Sequence, residues 1–158
     1  MGSVDGRTWM EHLTDDECWS LLAQERVGRI AVVVEGRPEI FPVNHGVDER
    51  SIVFRTDFGA KLHGIARLAW VGFEVDGFDD GAQSGWSVLV KGQADEVVDP
   101  AAIERLDTLD VHFWGVGEKS HWLRIAPDEV TGRRIADETG SRSIQYTGSM
   151  ARPDEPRN

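Results

Sequence analysis

Cysteine is nearly absent: Cys18 stands alone among 158 residues, so no disulfide can form within the chain. Long apolar runs are missing too. The longest, Ile30-Ala31-Val32-Val33-Val34, has the length of a strand and falls far short of a membrane span. Residues 1–12 hold no apolar stretch of the kind a secretory leader needs, so the default expectation is a cytoplasmic protein with no membrane partner. Positive charge is scarce, with 17 Lys and Arg against 28 Asp and Glu and a net charge of −11. A surface of that sign repels phosphate backbones and disfavours nucleic acid as a partner.

Several chemistries lack their motifs. There is no GxGxxG and no GxxxxGK followed by Ser or Thr, so neither a Rossmann dinucleotide site nor a P-loop is supported. Ser51 and Ser87 lack nucleophile-elbow spacing. The five histidines are scattered and Cys18 has no second cysteine, which disfavours a zinc site.

What is present suits one soluble globular domain, with 40% apolar and 28% charged residues. Residues 1–12 read as a flexible arm, 13–136 as the folded domain and 137–158 as a disordered polar tail containing Pro153 and Pro156. Thr14 followed by Glu17 has the form of a capping box and predicts a helix to about Glu25. Asp99-Pro100 predicts a second helix start, running to about Leu109. Strands are expected at 29–34, 39–44, 51–56, 70–76, 86–98, 121–125 and 130–135, with a bend at Gly92. His45 to Arg50 reads as a turn, and so does Pro127-Asp128-Glu129. Tight turns between neighbouring strands make the sheet mostly antiparallel. A mainly β fold of six or seven strands with short helices is expected, closed into a small barrel to avoid bare edges.

Residues 51–67 are the most informative stretch. They read as a strand from Ser51 to Thr56, a turn at Asp57-Phe58-Gly59 and a short helix from Ala60 to Arg67. Residues 50–67 carry four bases (Arg50, Arg55, Lys61, Arg67) against Asp57, whereas residues 74–96 carry six acids against Lys91. A basic island in an acidic chain suits a small anion. Arg55 offers a bidentate fork, Lys61 a mobile charge, Thr56 a hydroxyl, and Gly59 and Ala60 backbone N–H groups at a helix start. On these residues alone, a phosphate grip and an ordinary strand–turn–helix with surface cations are equally supported.

The ordered set Gly28-Arg29-Ile30, Pro42-Val43-Asn44, Ile52 to Thr56 with Gly59 and Lys61-Leu62, Val71 to Asp76, and Gly85 to Gly92 resembles the pyridoxamine 5′-phosphate oxidase-like FMN-binding split-barrel family. Trp114-Gly115, Trp122 to Ile125 and Thr131 to Ile135 continue the resemblance, which spans roughly residues 13–135. It implies a Greek-key split barrel and a homodimer with flavin at the interface. It further implies that Arg55 and Lys61 hold the FMN phosphate, assisted by Thr56 and the backbone of Gly59, Ala60, Lys61 and Leu62. Pro42, Val43 and Asn44 would lie along the flavin ring, and Trp86, Ser87 and Val88 would reach it from another strand. Phe113, Trp114 and Trp122 would close the site.

The chain lacks the extended basic set by which the vitamin-processing oxidase holds pyridoxal phosphate, so a flavin-dependent oxidoreductase acting on another small molecule is the expectation. His45 is either a proton donor to substrate or a surface-turn histidine. Trp9, Trp19 and Trp70 serve equally well as core or dimer packing. A deazaflavin coenzyme remains an alternative, as does a non-catalytic flavin sensor or a haem protein with His45, His63, His112 or His121 as axial ligand.

Overall fold

Alternation of apolar and polar residues lays down seven strands, and two capped helices interrupt them. The computed structural model describes residues 8–56, 69–81, 84–112 and 121–137. The strands are β1 (Thr8–His12), β2 (Val27–Val34), β3 (Arg37–Asp48), β4 (Ser51–Thr56), β5 (Ala69–Asp79), β6 (Ser84–Glu96) and β7 (His121–Asp137). The helices are α1 (Asp15–Gln24) and α2 (Pro100–Leu106). The order across the sheet is β1-β7-β4-β3-β2-β5-β6, and β6 pairs with β7 as well. Six strands therefore close a ring, with β1 added on the outside of β7. Every pairing is antiparallel. Among the described residues, no helix is long and apolar enough to cross a membrane.

The helix starts form as their residues dictate. The Thr14 hydroxyl accepts the Glu17 N–H, and the Glu17 carboxylate accepts the Thr14 N–H at 2.8 Å. The Asp99 carboxylate accepts the Ala102 N–H at 3.0 Å, with Pro100 in the first turn. Cys18, Trp19 and Leu22 on α1 join the barrel core. That core is built from inward positions of the strands, among them Ile30, Ile52, Phe54, Phe73, Val88, Leu123 and Ile125. A second cluster lies outside the barrel, where α2 and the turn after it cover Val53 and Trp122 through Leu106, Ile103, Leu109 and Val111. Strand β4 is consequently buried on both faces.

Three elements differ from the sequence expectation. Residues 8–12, read as part of a loose arm, form β1 by pairing with β7. His45 to Arg50, read as a turn, is mostly strand. The turn itself is only Glu49-Arg50, both with positive φ, so β3 runs on to Asp48. Neither residue announces a tight turn, but Arg50 is tied to Asp15 and Asp16 of α1, which offsets its backbone cost. Finally, β7 passes through Pro127 unbroken. Pro127 faces Gly92 where the β6–β7 register shifts, and a Cβ at Gly92 would lie 2.0 Å from the Ala126 carbonyl oxygen. The bend expected at Gly92 is this bulge, and it absorbs the missing proline N–H. The helix expected at 60–67 and the tail at 138–158 lie outside the described residues.

Candidate functional site

The outer face of β3, β4 and β7 gathers the chemistry. Alternation along β4 sends Ile52, Phe54 and Thr56 inward and leaves Val53 and Arg55 outside. Arg55 pairs in register with Trp122 of β7, and its guanidinium carbon stands 5.3 Å from the Trp122 ring centroid. On the other side, the β3–β4 ladder ends at His45–Phe54, and Asn44 and Arg55 are the next residue on each strand. Both are half-buried. The Arg55 Nε and the Asn44 Nδ2 are each buried without a hydrogen-bond partner. Two adjoining strands thus present two buried donors that face no acceptor.

Among the described residues, Arg55 also differs from most of the other arginines in its ion pairing. Arg26, Arg29, Arg50, Arg105, Arg124 and Arg134 all have carboxylate partners. Asp48 alone holds Arg105 at 3.0 Å and Arg124 at 2.6 Å, and these hydrogen bonds, Arg105 first, keep its carboxyl below the usual range. Arg55 has no carboxylate partner among the described residues. A half-buried guanidinium with a buried Nε and no carboxylate partner among the described residues, beside an unpartnered amide, is a fit for an anionic ligand with acceptor oxygens, as a flavin phosphate has.

The structure sorts the remaining expected site residues. Thr56 is buried at the end of β4 with its side chain inward. Pro42 is exposed on the outer face, but Val43 points into the core. Trp86 and Val88 also point inward, and only Ser87 of that trio is on the outside. Val43, Trp86 and Val88 therefore offer backbone, not side chain, to an outer-face ligand. Ser87 lies four strands from Arg55 by way of β3, β2 and β5, and two by way of β7, where Arg55 pairs with Trp122 and Ser87 with Arg133. Gly59, Ala60, Lys61 and Leu62 lie outside the described residues, as do Phe113 and Trp114.

His45 is a strand residue of β3 and not a surface-turn histidine. It is 5% exposed, inside the barrel, with Nε2 2.8 Å from the Leu22 carbonyl oxygen and its ring edge-on to Phe73. Burial lowers its pKa below the ordinary value. Its Nδ1 is buried without a hydrogen-bond partner. Trp122 is 3% exposed beneath α2, where its indole N–H donates to Asp107 at 2.8 Å. It supports Arg55 from below instead of swinging over a ligand. Sequence reasoning missed this support because it depends on cross-strand register. Among the described residues, no group of three or more His, Cys, Asp or Glu is placed to hold a metal ion.

A closed six-stranded antiparallel barrel with one appended strand defines a split-barrel protein. Residues 14–134 match the family model described as pyridoxamine 5′-phosphate oxidase, and the chain belongs to that family. An uncharacterized protein of Mycobacterium tuberculosis is 36% identical over 128 residues, covering 78% of this chain and 84% of the relative. Among solved structures, the FAD binding protein from Mycobacterium smegmatis is 39% identical with a TM-score of 0.70, covering 78% of this chain and 98% of its own. A conserved protein of unknown function from Corynebacterium diphtheriae is 34% identical with a TM-score of 0.68, covering 78% and 96%. The neighbours thus include flavin-binding proteins.

Proposed function

We propose that the chain is a flavin-binding oxidoreductase acting on a small molecule, with FMN as its cofactor and its phosphate at Arg55. The observation that carries this is the buried, unpartnered Nε of an arginine with no carboxylate partner among the described residues. Arg55 and Lys61 hold the phosphate, Asn44 donates to an acceptor on the ligand, and Pro42 and Ser87 flank the ring. A bound flavin supplies hydride or electron transfer, and the protein supplies position and electrostatics. With His45 sealed in the core, no residue is assigned to proton transfer here.

A homodimer completes the site. Val33, Ile40 and Trp70 share the outer face of β2, β3 and β5 at 63%, 68% and 60% exposure. A contiguous apolar face of this kind is what a second copy covers. It would also bring a partner's ring-side residues toward the ligand.

A second reading within the flavin class is FAD, favoured by the M. smegmatis neighbour's name. Mass spectrometry of the small molecule released from purified protein separates the readings. FMN is the expected result. FAD supports the second reading, and a deazaflavin or haem would replace the proposal. Apo-protein that takes up no flavin would end it. Flavin-loaded protein that consumes neither nicotinamide nor oxygen with any small substrate would make it a flavin store or sensor.

A further inference from the structure

We propose that Trp122 and Asp107 form a brace that positions the Arg55 guanidinium, and so set how strongly the chain prefers a phosphorylated flavin over the same ring system without phosphate. This rests on the flavin reading above and adds two positioning residues to it. Arginine has four rotatable side-chain bonds, and holding it in one geometry for a ligand is costly unless the protein does so beforehand. A carboxylate could hold it but would neutralise it. An aromatic face holds the cation through its quadrupole and leaves the charge and the N–H donors for an anion.

The geometry meets each requirement of a brace. Trp122 is directly opposite Arg55 in the β4–β7 ladder, with the guanidinium carbon 5.3 Å from the ring centroid. The ring cannot drift, because it packs with Val53 and Leu106 in the cluster under α2. Its plane is fixed by the hydrogen bond from the indole N–H to the Asp107 carboxylate at 2.8 Å. The Trp122 carbonyl accepts the Val97 N–H at 2.9 Å, which ties the same residue to the end of β6. Asp107 caps α2, and its own N–H donates to the Ile103 carbonyl at 2.8 Å. The helix is anchored in turn by Arg105 to Asp48, which also holds Arg124 of β7. A chain of contacts therefore runs from the Asp48 network through α2 and Asp107 to the tryptophan and the guanidinium.

The test is a comparison of FMN and riboflavin affinities for the full-length chain and its variants. Trp122→Leu should reduce the FMN-to-riboflavin preference by roughly 3- to 30-fold, the range of a cation–π contact, with riboflavin affinity little changed. Asp107→Ala, a milder change at an exposed residue, should reduce the preference by about 2- to 5-fold. In an Arg55→Ala background, Trp122→Leu should lower the preference no further, because the two act as one unit. Equal losses for FMN and riboflavin would show a general structural role and overturn the brace. So would independent, multiplying effects of the Arg55 and Trp122 changes. If Trp122→Leu fails to fold, Asp107→Ala decides, and an unchanged preference there overturns the brace. FMN binding that all three variants leave intact moves the phosphate away from Arg55. No binding of either flavin by the unaltered chain defeats the flavin reading itself.

Discussion

Arg55 and His45 show how burial assigns roles that residue type leaves open. Both are polar residues placed by strand alternation, one outside the barrel and one within it. Asn44→Ala removes one of the two unpartnered donors and should weaken FMN binding by about 1 kcal/mol, read by titration of apo-protein. His45 makes a pH prediction. Its folded pKa lies below the unfolded value near 6.5 because burial disfavours the charged ring. The unfolded chain therefore takes up the proton first as pH falls. Stability from the neutral ring is fully present above about pH 6.5 and declines as pH drops from there toward the folded pKa. The carboxyl of Asp48, held low by its two arginines, gives way only at more acidic pH, below its ordinary value of 3.8. Urea midpoints between pH 7 and 5 should fall for the unaltered chain and stay flatter for His45→Leu. Equal slopes would remove His45 as the cause. Arg55 was legible as a ligand residue because it belongs to a basic island, with Arg50, Lys61 and Arg67, in an acidic chain. The sequence set His45 beside an expected turn, whereas β3 runs on and buries the ring, because a histidine in that position carries no sign of which face its strand will bury.

At the scale of elements, local chemistry was legible and long-range pairing was not. The Thr14–Glu17 capping box and the Asp99-Pro100 start formed as their residues demand, because each is decided within four residues. The Gly92 bend was legible from the glycine itself, although its cause, the register shift opposite Pro127, lies on another strand. Strand β1 was hidden because Thr8 to His12 has little pattern of its own and gains its order from β7. The continuous β7 was hidden because Pro127 ordinarily stops a strand, and only the bulge opposite makes room for it. Trp122 as the floor under Arg55 depends on the same β4–β7 register. Two stability predictions belong here. Thr14→Ala should cost about 1 kcal/mol in thermal or denaturant unfolding. Gly92→Ala should cost roughly 2 kcal/mol or more, because its Cβ would meet a backbone carbonyl that cannot move without breaking the β6–β7 ladder. A neutral Gly92→Ala would mean that the bulge relaxes freely.

For the whole molecule, closure of six strands removes bare sheet edges and leaves the outer faces to do the recognition. One face is covered by α2 beside Arg55 and Trp122, and another carries Val33, Ile40 and Trp70 in the open. A stable pair of subunits typically buries about 800 Å² on each partner. Ile40→Glu with Trp70→Glu should shift sedimentation from dimer to monomer and weaken flavin binding at the same time. A monomeric unaltered chain that still binds flavin tightly would remove the second copy from the site. The family membership and the fold agree that this is a split barrel, and the proposal beyond that is that Arg55 holds a flavin phosphate. Calorimetric titration of apo-protein with FMN addresses that most directly, comparing the unaltered chain with Arg55→Ala,Lys61→Ala. Loss of two charge-assisted contacts should weaken binding by about 3 kcal/mol, on the order of 100-fold in Kd. Unchanged affinity in the double variant would contradict the account and place the phosphate elsewhere.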